Sequence, residues 1–317
     1  MSTDNKIYKD INFKLNIPVL FLVFNRMDTT IQVFSQIKKI KPPKLYIGCD
    51  GPRKNFPGES EIIKKIRTFL LENIDWDCEV FTKFNKENMG CKISVSQSID
   101  WFFKNEEMGI VLEDDCLPSQ SFFQFCQELL YKYKDDQRIF LITGYNKQNK
   151  WEDDLQDYFF SNLGGIWGWA SWRRAWNHYD VNIQDIDKFI AEDGFSKSLG
   201  KSLGKLKQDM IYNNVIRDNV DTWAMQWGYA RHKNNALTCI PTVSLIKNIG
   251  FGEHATHTYG DNLDGVEANE MKFPIKENAF VVSDERYDEL LFKKPNLRSR
   301  IINKLKKLQT KISNLNS

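Results

Sequence analysis

No two of the six cysteines are spaced CxxC; Cys49, Cys78, Cys91, Cys116, Cys126 and Cys239 are scattered singly. A chain of 317 residues buries enough core to fold without disulfide staples, so these read as reduced, mostly buried thiols of a reducing compartment. An apolar leader is also missing: residues 1–15 are polar and lack the central apolar stretch of a signal peptide. The longest early apolar run, Ile17 to Phe24, falls far short of the ~20 residues that span a bilayer. These absences make a cytoplasmic protein the expectation. Net charge is only +2, which suggests no nucleic-acid partner. No GxGxxG follows the first apolar run; Phe24-Asn25-Arg26-Met27-Asp28 stands there, against a dinucleotide fold or a P-loop. Aromatics, by contrast, are plentiful. They fill cores, and they also stack on bases and on the apolar faces of sugars.

Apolar runs and helical patterns alternate through the first half. Val19–Phe24, Leu45–Cys49, Glu79–Phe81, Gly109–Leu112 and Ile139–Thr143 read as strands. Thr30–Lys39, Glu61–Leu71, Gly90–Lys104 and Ser121–Tyr133 read as helices; Ile62, Ile63, Ile66, Phe69 and Leu70 share one side of the second. This alternation predicts an α/β fold with a largely parallel sheet and helices on both faces. The second half is less regular. Gly164–Trp176 is rich in Gly and Trp, and Asp185–Leu206 is helical in pieces broken by Gly194, Gly200 and Gly204. Thr222–Asn235 predicts a helix, Leu237–Ile246 a buried strand interrupted by Pro241, and Asn248–Asp264 a long loop. One domain is expected over 1–292, in halves of about 17–144 and 145–292.

Residues 293–317 differ in kind. They carry eight basic residues and no acidic one, with Leu297, Ile301, Leu305, Leu308, Ile312 and Leu315 at three- and four-residue spacing. A basic amphipathic helix of this pattern fits an anionic membrane surface; packing on its own domain or a partner chain is the alternative.

The strongest chemical signal is Gly109-Ile-Val-Leu-Glu113-Asp114-Asp115-Cys-Leu-Pro118. An apolar strand runs into three successive carboxylates, and open parallel sheets bind ligands at the carboxyl ends of their strands. Adjacent carboxylates repel, and a divalent cation relieves that repulsion. Mg²⁺ or Mn²⁺ takes one or two carboxylates and completes its shell with water and phosphate oxygens, such as those of a nucleoside diphosphate-sugar. Asp50, in Cys49-Asp50-Gly51-Pro52, also follows an apolar run; it suits accepting the N3–H of uracil, or simply making a turn. Arg26, after the first run, suits a diphosphate or an ion pair. Trp167, Gly168 and Trp169 suit a sugar pocket or a core. Asp221 suits a general base or the N-cap of the helix that follows it. The loop with Gly252, His254 and His257 suits closure over a ligand; two histidines without a third ligand carry little weight for zinc.

In this order, these residues resemble the GT-A-fold glycosyltransferases. Val19 to Arg26, the strand ending at Asp50, and Val111 to Asp115 followed by Pro118 and Ser121 to Phe123 carry the likeness, which is to N-acetylglucosaminyltransferase I, glycosyltransferase family 13. Gly165 to Trp169, Asp221-Thr222-Trp223 and Cys239 to Gly252 continue the likeness. The chain also resembles a bacterial set of sugar transferases carrying EDDCLP and IWGWASW. The resemblance implies a metal-dependent inverting transfer, with Mn²⁺ or Mg²⁺, from a UDP-sugar such as UDP-GlcNAc. The acceptor would be a hydroxyl of a glycan or lipid-linked glycan, in bacterial surface polysaccharide synthesis, on the cytoplasmic face of the membrane. It implies that Asp115 holds the metal, Asp114 faces the ribose and Glu113 the transferred sugar. Asp50 would read uracil, Arg26 would sit in the nucleotide site, Trp167, Gly168 and Trp169 would line the sugar site, and Asp221 would be the base. Gly252 and His257 would order over the donor. Val220 and Thr222 depart from the family pattern, on the acceptor side. The rival classes are a sugar-1-phosphate nucleotidyltransferase, a non-catalytic carbohydrate-binding protein and a metal hydrolase.

Overall fold

A computed structural model describes residues 13–151, 155–250 and 265–292. The chain divides into two compact units, Met1–Ser283 and Asp284–Ser317. In the first, β1 (Val19–Val23), α1 (Met27–Ile40), β2 (Lys44–Cys49), α2 (Glu59–Glu72), β3 (Glu79–Phe84), α3 (Gly90–Asn105) and β4 (Met108–Glu113) alternate. Then come β5 (Cys116–Pro118), α4 (Gln120–Lys132), β6 (Ile139–Thr143), β7 (Tyr158–Ser161), β8 (Trp169–Trp172) and α5 (Arg173–Trp176). The helices α6 (Ile186–Ala191), α7 (Gly194–Leu199) and α8 (Lys201–Ile211) follow, with a π-helical turn over Tyr212–Arg217. After α9 (Ala224–Lys233) the chain adds β9 (Leu237–Pro241) and β10 (Ile246–Asn248). The described part of the second unit holds one helix, α10 (Glu285–Phe292).

Eight strands form one sheet in the order β3-β2-β1-β4-β8-β6-β9-β7. Pairings β1–β2, β1–β4, β2–β3 and β6–β9 are parallel; β4–β8, β6–β8 and β7–β9 are antiparallel, so only β8 and β7 run against the rest. The fold is therefore α/β with a mostly parallel sheet flanked by helices, as the alternation predicts. Both faces are covered. Val19, Phe21 and Val23 of β1 join one apolar core with Val33, Phe34 and Ile37 of α1, whereas Leu20 and Leu22 join a second core with Phe102 and Phe103 of α3. That is the two-residue period of a strand buried on both sides. The first helix closes cleanly: Lys41 turns left-handed at φ 54°, and its N–H returns to the Ile37 carbonyl at 3.0 Å.

The differences from expectation lie mostly in the second half. The Gly–Trp segment contributes a strand: Trp169–Trp172 is buried and fills the sheet between β4 and β6. The buried run after residue 236 is two strands, not one: β9 stays in the main sheet, while β10 leaves it to pair antiparallel with β5. Among the described residues no helix is long and apolar enough to cross a membrane. All six cysteines are free. The tail expected to be amphipathic, 293–317, lies outside the described residues.

Candidate active site

A cleft of about 320 Å³ opens at the carboxyl ends of β1, β2 and β4, large enough for a small ligand. It gathers Arg26, Asp50, Glu113, Asp114, Asp115 and Asp221, which the chain spreads over its length. Trp167 also lines it.

β4 carries the acidic triplet to the middle of the cleft. Asp114 is buried, and its Oδ1 takes a hydrogen bond from Nη2 of Arg26, while its Oδ2 accepts the Phe24 N–H at 3.3 Å. The other arm of the guanidinium, Nη1, reaches Asp115 Oδ2 at 3.1 Å. Arg26 thus bridges two of the three carboxylates. Burial opposes its charge, but Asp114 and Asp115 outweigh that and raise its pKa. The third carboxylate has no such partner. Burial first, then repulsion from Asp115 and Asp114, pushes Glu113 up to about 8. Burial also pushes Asp114 up, to about 6, against the pull of Arg26. One guanidinium therefore neutralises the cluster only in part.

Asp50 and Asp221 both turn out to serve the same helix. The first four N–H groups of a helix lack partners within it, and the N-cap of α3, Met89, has no side-chain acceptor to offer. Asp50 accepts the N–H of Met89 (3.0 Å to Oδ2) and of Gly90 (3.1 Å). Asp221 accepts the next two, from Cys91 and Lys92, each at 2.7 Å. Asp50 further takes Asn85 Nδ2 at 3.0 Å, Asn88 Nδ2 at 2.9 Å and the Gly51 N–H at 2.9 Å. A carboxylate offers about four lone-pair sites, so Asp50 has none left for a ligand N–H. Its expected role as the reader of uracil would require one of these bonds to give way. Asp221 is exposed and makes one such bond per oxygen, which leaves each oxygen a second lone pair. It does not cap α9, whose first residue is three positions on.

The aromatic segment divides. Trp167 is half-buried in the cleft wall, edge-on to Tyr145 with ring centroids 4.6 Å apart. Trp169 has no exposed surface; its ring packs against Trp223, Trp176 and Trp227 at 5.9 to 6.2 Å, so it is core and not a ligand contact. Gly168 is buried as well. Its positive φ of 59° and the Ile246 side chain, which a Cβ would overlap, account for the glycine without a ligand. Gly252, His254 and His257 lie outside the described residues.

Two groups at the cleft fall inside motifs read from the sequence but had no role assigned to them there. Arg53 is held by Glu59, a buried carboxylate that takes its backbone N–H at 2.7 Å and its Nε at 3.0 Å. Asn248, at the end of β10, also lines the cleft, its backbone paired with Cys116. Among the described residues no group of three or more His, Cys, Asp or Glu could hold a metal alone. The donor set at Glu113 and Asp115 is oxygen only. That fits Mg²⁺ or Mn²⁺, which use one or two carboxylates and draw the rest of their shell from water and phosphate.

No family model matches the chain, and no curated protein matches it in sequence. Among solved structures, it is similar to the mannosyltransferase PcManGT from Pyrobaculum calidifontis, in complex with GDP-Man and Mn²⁺. There the identity is 8%, with 69% of this chain and 74% of that one covered, at a TM-score of 0.39. HddC from Yersinia pseudotuberculosis is 7% identical over 50% of this chain and 77% of its own, TM-score 0.31. The 4-diphosphocytidyl-2C-methyl-D-erythritol synthase from Anaerococcus prevotii is 11% identical over 55% and 76%, TM-score 0.28. At that distance these likenesses say nothing about the chemistry of this chain.

Proposed function

We propose that the cleft is the active site of a metal-dependent glycosyltransferase. It would move a sugar from a nucleoside diphosphate donor to a hydroxyl of a glycan or lipid-linked glycan. What supports this reading most is the acidic triplet. Three successive carboxylates stand at the carboxyl end of a central parallel strand, inside a cleft, with a single guanidinium bridging two of them. Such a cluster is costly without a ligand and suits a cation that brings phosphate oxygens with it. Asp115, with Glu113 beside it, would hold Mg²⁺ or Mn²⁺, which would supply charge neutralisation for the departing diphosphate.

The chain's own residues supply the rest. Arg26, always charged, binds diphosphate oxygens by charge-assisted hydrogen bonds, and buried Asp114 orients it. Asp221, steadied by two backbone N–H groups, takes the proton of the attacking hydroxyl onto a carboxylate oxygen, as an inverting single displacement requires. Trp167 offers a flat face to a sugar. The donor implied by the resemblance is a UDP-sugar, with the base read by groups other than Asp50. Residues 293–317 would bring the enzyme to an anionic membrane surface.

The test is direct. Incubation with nucleoside diphosphate-sugars and Mn²⁺ should release nucleoside diphosphate, not pyrophosphate, and chelation or Asp115→Ala should stop it. Wild-type turnover by Asp115→Ala would overturn the reading.

A further inference from the structure

Six buried side-chain polar atoms among the described residues have no hydrogen-bond partner. Five belong to Trp169, Gln226, Trp227 and Arg231, none of which lines the cleft; the sixth is Nδ2 of Asn248, which does. Folded proteins pair nearly all such atoms, so an unpaired one at a cleft calls for an explanation, a bound ligand among them. Asn248 is 3% exposed. Its Oδ1 accepts the Gly250 N–H at 2.8 Å, so the Nδ2 end is the one left over. Its backbone pairs with Cys116, the residue after Asp115, and the neighbouring Ile249 N–H donates to the Asp115 carbonyl at 2.8 Å. Gly250 completes the fit: a Cβ there would overlap the Asp115 carboxylate and crowd the Arg26 guanidinium.

We infer that Asn248 is a diphosphate-binding residue, its Nδ2 donating to an oxygen of the diphosphate beside Asp115. The inference rests on the reading of the cleft as a nucleoside diphosphate-sugar site, and it assigns a contact that reading did not contain. The chemistry selects the diphosphate over the sugar. Apart from Arg26, the charged groups beside Asn248 are the carboxylates of the triplet, and an ionised carboxylate such as Asp115 only accepts hydrogen bonds. Sugar hydroxyls find acceptors there in plenty. A diphosphate is itself acceptor-only and needs donors; Arg26 reaches Asp115 directly, and Asn248 is paired through its backbone with Cys116, the next residue. A neutral amide also donates without competing with a cation for the carboxylates.

Inorganic pyrophosphate with Mn²⁺ is the probe, titrated calorimetrically into the full chain, because it carries neither base nor sugar. Asn248→Asp keeps the size and the acceptor for Gly250 but removes the donor. Asn248→Leu removes the donor without adding charge. Both should weaken pyrophosphate binding tenfold or more, with Mn²⁺ alone bound at least as tightly as by the wild type. Wild-type pyrophosphate affinity in either variant overturns the assignment. Loss of Mn²⁺ binding in step with pyrophosphate also overturns it, since the effect would then run through the metal. A wild type that binds neither pyrophosphate nor any nucleoside diphosphate with Mn²⁺ sinks the functional reading itself.

Discussion

Asp50 and Asp221 share the N-terminus of one helix: the N–H groups of Met89 and Gly90 donate to Asp50, and those of Cys91 and Lys92 donate to Asp221. Two carboxylates from opposite halves of the chain thereby close the start of α3 at the rim of the cleft. Both also complement the positive end of that helix. The arrangement gives each residue a structural duty that must be separated from any chemical one.

For Asp221 the separation is by size of effect. Asp221→Asn keeps an acceptor for α3 but loses the charge, which should cost about 1 kcal/mol of stability. As the proposed base, the same change should lower transfer by ~10²–10⁴ while donor binding persists. Denaturant unfolding and turnover, measured on one preparation, read both numbers. Unchanged transfer would leave Asp221 with the helix cap alone.

For Asp50 the expectation is reversed. Asp50→Asn puts an amide donor among the N–H groups of Met89, Gly90 and Asn88, and should cost about 3 kcal/mol through unpaired buried donors. Preference among UDP, GDP, CDP and ADP should not change. A selective loss of UDP binding would restore Asp50 as the reader of the base.

On the proposed reading, Arg26 and a divalent cation would compete for Asp115. Arg26→Met leaves Asp114 buried without its partner, and breaking such a pair costs about 3–5 kcal/mol. Mn²⁺ should then raise the melting temperature of the variant more than that of the wild type, because the cation replaces the lost positive charge. Equal shifts would show that the guanidinium and the metal do not share a site.

The alternating first half was legible because each strand there is an apolar run bounded by polar helical pattern, and the triplet stood out because charge follows Leu112 without a break. Trp169–Trp172 and Tyr158–Ser161 were not legible as strands. All eight residues are buried, so neither segment shows a two-residue alternation, and tryptophans beside glycines read as a pocket. β5 and β10, three residues each, are too short to carry a pattern. Placing Asp50, Arg26, Glu113 and Asp221 at one site was within reach of motif order. Their partners were not: Asp50 is saturated by the segment 85–90, and Asp221 is held by two N–H groups of α3, contacts that only the folded topology brings together.

The last prediction concerns pH and lies away from the cleft. His232, in the final turn of α9, is 3% exposed and packs edge-on to Phe195. A helix C-terminus ordinarily favours a protonated histidine. Here burial wins, aided by the charges of Lys207 and Arg231, and holds the imidazole pKa well below its usual value. The unfolded chain binds a proton at this residue as pH falls through about 6.5, whereas the folded chain does not. Stability contributed by neutral His232 is therefore present above that pH and is lost below it, at up to about 1.4 kcal/mol per pH unit. His232→Phe removes the proton site and should flatten the dependence of the urea midpoint on pH between about 6.5 and 5. Parallel curves for the two proteins would mean that the folded state protonates this ring as readily as the unfolded chain does.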